Sequence, residues 1–278
     1  MSYLLLTIAA NVVMIFVMRY SEQRQGNRYA VTVFNYITGV VVSLCLLGGH
    51  WPQPGTQSLG LAVGLSFTNT LCMVGCMLLI QYSILKNGAP MTTTFNRLGI
   101  LIPTVLSIFL FREAPSLLQA AGLAAATFAI VYLSGGRSGP RIAAPLGLMA
   151  VFVVGGLIDF HSKVYNIFGQ PSLQEFYVLS TFILSFFISL GLLLWKNRRI
   201  SLQDVLCGIL VGLPNQAVTF CMVKAAAVLP AYVVFPVYSA AVILVVNLIN
   251  FLVFREKPTP RELRGTGIIA AALVLLNL

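Results

Sequence analysis

Charge is what this chain has least of. Only 9% of its 278 residues are charged, 17 basic and 7 acidic, and 2 are histidine, where an ordinary soluble domain carries about 25% charged residues. A soluble globular protein is excluded on that ground. Disorder is excluded too, because it requires low hydrophobicity and 58% of these residues are hydrophobic. Catalytic signatures are missing as well. No Gly-rich phosphate loop ending in Lys-Ser/Thr is present, so the chain is no ATP-driven pump. Without HExxH, paired CxxC or GxSxG motifs no catalytic set is visible, and a non-enzyme without a cofactor is expected. The five cysteines, Cys45, Cys72, Cys76, Cys207 and Cys221, lie in or beside apolar runs. They read as small core residues rather than a disulfide framework. Cys72 and Cys76 share a helix face but have no His or acid beside them, so no metal site is expected.

What fills the chain instead is apolar sequence. Ten runs bounded by charge, Gly or Pro span roughly 3–19, 30–48, 59–85, 90–111, 117–134, 144–164, 175–195, 203–226, 231–254 and 262–278, each near the 20 residues that cross a bilayer. The fold class expected is an all-α polytopic membrane protein of ten transmembrane helices. Connections are short, so the work falls inside the membrane. The first run has no basic stretch before it, unlike a signal peptide, and reads as a retained helix.

The runs repeat. GLAVGL at 60–65 and TLCMV at 70–74 answer GILVGL at 208–213 and TFCMV at 219–223. FREAPS at 111–116 answers FREKPT at 254–259, and at the same shift of 143 residues Gly122, Val131 and Leu133 fall opposite Gly265, Val274 and Leu276. The chain therefore reads as two related halves, 1–138 and 139–278, joined by GGRSGPR at 135–141. Five crossings per half is an odd number, so the second half enters from the opposite face: an inverted repeat of the kind that builds secondary transporters. The ends LFRE and VFRE of segments four and nine, each followed by Pro and a helix with an early Gly, together with the turn KNGAP before segment four, carry a resemblance. The chain resembles the ten-helix EamA-type members of the drug/metabolite transporter superfamily over essentially its whole length. That resemblance implies transport of small metabolites or drugs through a central cavity lined by helices one, three, four, six, eight and nine. It also implies cytoplasmic termini.

The charges indicate the reverse orientation. Of the 17 basic residues, 13 lie in the odd-to-even loops and 3 in the remaining ones, with Arg97 inside segment four. Basic residues near span ends stay cytoplasmic, so both termini are expected outside a prokaryotic cytoplasmic (inner) membrane.

Ionisable groups in hydrocarbon cost about 2.5–3.5 kcal/mol on insertion scales and need a partner or a wet cavity. Arg97, beside Asn96, lies about 10 Å into segment four by helical rise. Its five donors suit an anionic substrate group, or else a structural ion pair. Asp159 and Lys163 stand four apart on one helix face and read either as an internal pair or with Asp159 as a proton-coupling group. His161 is a weaker coupling candidate, because it points away from Asp159. Measured from the start of segment six, Asp159 lies at about 22 Å, too far from Arg97 for a direct bond. Asn11, Asn69, Asn96, Asn215 and Gln216 place amides at mid-depth, where they either line a polar cavity or bond between helices. Tyr238 and Phe235 either stack on a substrate or pack. Pro103, Pro214 and Pro236 can bend or break their helices. The GxxxG pairs Gly60/Gly64 and Gly208/Gly212 read as helix contacts, Glu113 and Glu256 as helix caps, and Lys86 and Lys224 as interface anchors.

The expected function is secondary-active or facilitative transport, by alternating access, of a small polar metabolite such as an amino acid or related carboxylate. Arg97, Asn96, Asn11, Asn69, Asn215, Gln216 and Tyr238 would bind it. Its partners would be that substrate, the lipid bilayer and protons, with no nucleic acid. The rivals are proton-coupled efflux of organic cations, which makes Asp159 essential, and a non-transporting scaffold or lipid-binding protein.

Overall fold

A computed structural model describes residues 2–24, 26–49, 51–52, 58–87, 89–112, 115–134, 144–196, 199–253 and 260–276. Among these the structure is all-α, with no strand. In chain order the helices are α1 (Ser2–Gln23), α2 (Arg28–Leu47), α3 (Leu59–Asn87), α4 (Ala89–Leu98), α5 (Leu101–Phe111), α6 (Leu117–Ser134), α7 (Pro145–Phe168), α8 (Gln174–Lys196, entered through a 3-10 turn at Pro171–Leu173), α9 (Leu202–Val228), α10 (Ala231–Leu252) and α11 (Pro260–Leu276). Six stretches of helix, on α2, α3, α7, α8, α9 and α10, are long and apolar enough to cross a membrane, and four shorter apolar helical stretches accompany them. Large apolar side chains stand outward, among them Leu117, Leu146 and Phe109. Such a surface belongs in lipid, and the architecture is that of an integral membrane protein. Glu113, Glu256 and the joint at 135–141 lie outside the described residues.

Local chemistry sets the helix ends. Asn27 caps α2 by accepting from the Tyr29 and Ala30 backbone N–H groups, and Gly48, at φ 56°, closes it with its N–H on Leu44 O. Ser116 and Gln119 form a reciprocal capping box on α6, at 3.0 and 3.2 Å.

Each predicted apolar segment falls on helix, but the fourth is not one helix. It divides at Gly99–Ile100 into α4 and α5, neither long enough to cross alone. Pro103 is the physical reason. It has no N–H for the carbonyl four residues back, which is that of Gly99, and its ring crowds that carbonyl. The break thus lies one turn before the proline, and Ile102 N donates to Gly99 O instead at 2.9 Å. In contrast, α9 and α10 run unbroken through Pro214 and Pro236.

The chain forms two compact units. Unit 1 holds residues 1–74 and 164–227, and unit 2 holds 75–163 and 228–278. Each draws on both halves of the sequence. In unit 1, α2 packs along α8 around a core of Tyr36, Tyr165, Tyr177, Phe182 and Val223. In unit 2, α6 packs along α11, and Ala129, Ala240 and Ile269 form a buried cluster with α10.

The two GxxxG pairs behave differently. A Cβ on Gly212 would lie 2.6 Å from Asn35 O, and one on Gly208 would lie 2.9 Å from Val31 O, so α9 presses on α2 backbone to backbone. A Cβ on Gly60 or Gly64 would meet nothing within 4 Å. Among the described residues, the contact expected of both pairs is therefore made by the second alone.

Candidate functional site

The candidate residues divide between the units. In unit 2 the helix break organises them. Gly99 sits on α7: a Cβ there would come 2.9 Å from Gly156 N and 3.0 Å from Phe152 O. Asn96 faces the adjoining Gly155, whose added Cβ would lie 2.6 Å from Asn96 Oδ1. The same oxygen accepts from the Cys76 thiol at 3.8 Å. Only glycine at these α7 positions lets an interrupted helix with its extra polar groups lie so close.

Arg97 follows Asn96 in the last turn of α4 and is half-buried. It has no hydrogen bond or ion pair among the described residues, and Tyr238 of α10 lies within its electrostatic reach. Phe235, one turn earlier, is fully buried and packs. Asp159 is one turn beyond Gly155 on α7, partly exposed, and also without a hydrogen bond or ion pair among the described residues. The Asp159–Lys163 pair expected from their spacing is not formed. Lys163 is buried and interacts elsewhere. His161 is held within its own helix, its Nδ1 2.6 Å from Leu157 O, a structural contact.

The Asn96–Gly155 contact also corrects the depth comparison. Four residues separate Gly155 from Asp159, so Asp159 is only about 6 Å along the helix from the level of Asn96. Helix starts are not a common plane, which is why counting from them overstated the offset. No Arg97–Asp159 bond is formed, as expected.

In unit 1 most of the amides are already engaged. Asn69 donates to Tyr177 Oη at 3.2 Å, Asn215 to Asn35 Oδ1 at 3.0 Å, and Gln216 to Ser43 Oγ at 3.3 Å. Ser66 and Thr70 donate to the Tyr177 and Thr181 carbonyls at 3.0 and 3.2 Å, extending the α3–α8 seam. Asn69 Oδ1 stays buried without a partner among the described residues. Asn11, on α1, is half-buried and makes no hydrogen bond among them. Lys224 pairs with Glu175 at 3.6 Å and lies over Phe220, a specific contact in place of a simple anchor.

Sequence reasoning missed Asn35, Tyr165 and Tyr177. The tyrosine rings stack at 4.2 Å beneath Asn69. Asn35, a lone amide in an apolar helix, was open to the criterion that singled out Asn69. Nothing in the sequence distinguishes the tyrosines from packing residues. No group of three or more His, Cys, Asp or Glu able to hold a metal occurs among the described residues. Chemically, the unit 2 set offers one guanidinium for an anion and one carboxylate for a proton or a cation.

The fold recurs in solved structures. No protein-family model matches the chain, and no curated protein matches it. Twenty-nine solved chains match in structure. One, described only as a protein crystal structure, aligns with a TM-score of 0.79 at 15% identity, over 100% of this chain and 98% of the other. At that identity the likeness establishes the fold alone.

Proposed function

We propose that the chain is an EamA-type transporter of the drug/metabolite superfamily, with ten membrane segments in two inverted repeats. It moves a small carboxylate-bearing metabolite, such as an amino acid, by secondary-active or facilitative alternating access. The observation that carries this reading is Arg97. A guanidinium inside an apolar segment, at a helix break and without an acid bonded to it among the described residues, lacks the counter-charge that hydrocarbon demands. A substrate carboxylate supplies it, with a bidentate geometry that arginine favours. Pairing of equivalent segments lends support, since α2 lies along α8 and α6 along α11, the second and fifth members of the two halves.

A thermal-stability titration of the detergent-purified protein against amino acids, organic anions and quaternary amines tests the proposal, with Arg97→Ala in parallel. A ligand at 100 times its Kd adds about 2.7 kcal/mol. Stabilisation of wild type by a carboxylate, lost in Arg97→Ala, supports the reading. Equal responses in both proteins overturn it.

A second reading rests on Asp159, a carboxylate likewise without a bonded counter-charge in the described structure. Proton-coupled efflux of organic cations needs such a group. Stabilisation by cations alone, abolished in Asp159→Asn, selects this alternative. No response to any compound in the panel favours the scaffold.

A further inference from the structure

The two ends of unit 1 differ in charge. At one end α1 and α8 finish and α2 and α9 begin, and the stretches 19–28 and 196–204 hold six basic residues against two acids, Glu22 and Asp204. At the other end, the stretches 48–58, 164–175 and 224–230 hold one acid and one base, Glu175 and Lys224. Those two pair with each other at 3.6 Å.

The basic end is one assembled surface. Arg24 and Arg199 share a cavity wall, and Leu193, one turn before the end of α8, packs with Ala30 and Val33 of α2. Asp204 braces the two connections. It is buried, and it accepts the Asn27 backbone N–H through Oδ1 at 2.8 Å and the Ser201 backbone N–H through Oδ2 at 2.9 Å. Both of its oxygens are thus held by the framework.

Two cations at this end stand on aromatic rings. Arg24 lies over Tyr20, 5.6 Å from the ring centroid, and Lys196 lies over Trp195 at 4.6 Å. All four side chains are exposed, and neither cation has an ion pair or a side-chain hydrogen bond among the described residues. A ring face orients a cation without neutralising it. Tyr20 is in the last turn of α1 and Trp195 in that of α8, where an amphipathic ring marks the boundary between hydrocarbon and headgroups.

We infer that this end of unit 1 docks on anionic phospholipid, with Arg24 and Lys196 each holding a headgroup phosphate while Tyr20 and Trp195 rest against the same lipid. Charge selects the lipid, because the choline of a zwitterionic headgroup would meet the same cations and an anionic headgroup carries none. Each basic residue at an anionic surface is worth about fivefold in affinity. This holds whatever the protein transports.

The chain has two tryptophans, Trp195 at the basic end and Trp51 past the far end of α2, and they supply the probe and its control. The full chain is placed in mixed phosphatidylglycerol and phosphatidylcholine vesicles in which one lipid or the other carries brominated acyl chains, which quench tryptophan fluorescence on contact. In Trp51→Phe, Trp195 alone reports, and it should favour phosphatidylglycerol about fivefold. That preference should vanish in Lys196→Gln and return in Lys196→Arg. In Trp195→Phe, Trp51 alone reports, and the two lipids should quench it equally. Arg24→Gln is read in the same way through Tyr20→Trp, in a protein with both native tryptophans replaced by phenylalanine. Should Lys196→Gln not fold, the contrast between Trp195 and Trp51 decides alone. Equal quenching of Trp195 by both lipids, an equal preference at Trp51, a preference that survives Lys196→Gln, or displacement of the lipid by inorganic phosphate at constant ionic strength would each overturn the inference.

Discussion

Unit 1 and unit 2 treat polar groups inside apolar helices in opposite ways. In unit 1 Asn69, Asn215 and Gln216 each donate to a neighbouring helix, and most of the polarity is consumed as interhelical bonding. In unit 2 Arg97 and Asp159 carry charge without a bonded partner among the described residues, beside a helix interrupted at Gly99. Neutral amides can satisfy one another, whereas an isolated charge needs something the fold does not supply. The difference teaches that an amide at mid-depth is weak evidence for a binding site. An unbonded ionisable group is much stronger evidence.

Five substitutions would sharpen or break that comparison. The largest effect is expected from Gly212→Leu, which drives a side chain into the Asn35 carbonyl and should cost about 3 kcal/mol or more, because backbone cannot yield as a side chain can. Gly60→Leu at the equivalent repeat position meets open space and should stay within about 0.5 kcal/mol. Thermal unfolding in detergent reads both. Next, Arg97→Ala should reduce substrate binding about a hundredfold, some 2.7 kcal/mol, while its melting temperature stays near wild type; a large drop in stability would make Arg97 structural. Asn215→Leu should do the reverse, losing about 0.6–1.7 kcal/mol of stability while its folded fraction still binds. If it instead abolishes binding without destabilising, the division between the units fails. The smallest loss of binding is expected from Tyr238→Phe, which keeps the ring and removes the hydroxyl near Arg97. A roughly threefold weakening, measured by the same titration, fits a hydrogen bond worth under about 1 kcal/mol.

Much of the fold was legible because membrane helices announce themselves through composition. The ten apolar runs fall on the observed helices to within a few residues. The break in segment four was half legible. Pro103 signalled an interruption, but its position one turn earlier, at Gly99, follows from the carbonyl the proline cannot reach and from glycines on α7 that accept the break. The candidate site was less legible. Arg97 and Asp159 stood out by charge alone, while the Asp159–Lys163 pair failed because a shared helix face permits a contact without requiring it. Asn35 escaped because its importance depends on which helix lies opposite.

The sequence by itself determined the class: scarce charge and recurring apolar runs leave only an all-α membrane protein, since hydrophobic length and backbone satisfaction are local properties. Only the tertiary structure decided which polar groups are consumed by neighbours and which are left to act. It separated Gly208 and Gly212, pressed against α2, from Gly60 and Gly64 facing open space, although the motifs are alike. Partnership is a property of two surfaces, and one strand of sequence holds only one of them at a time.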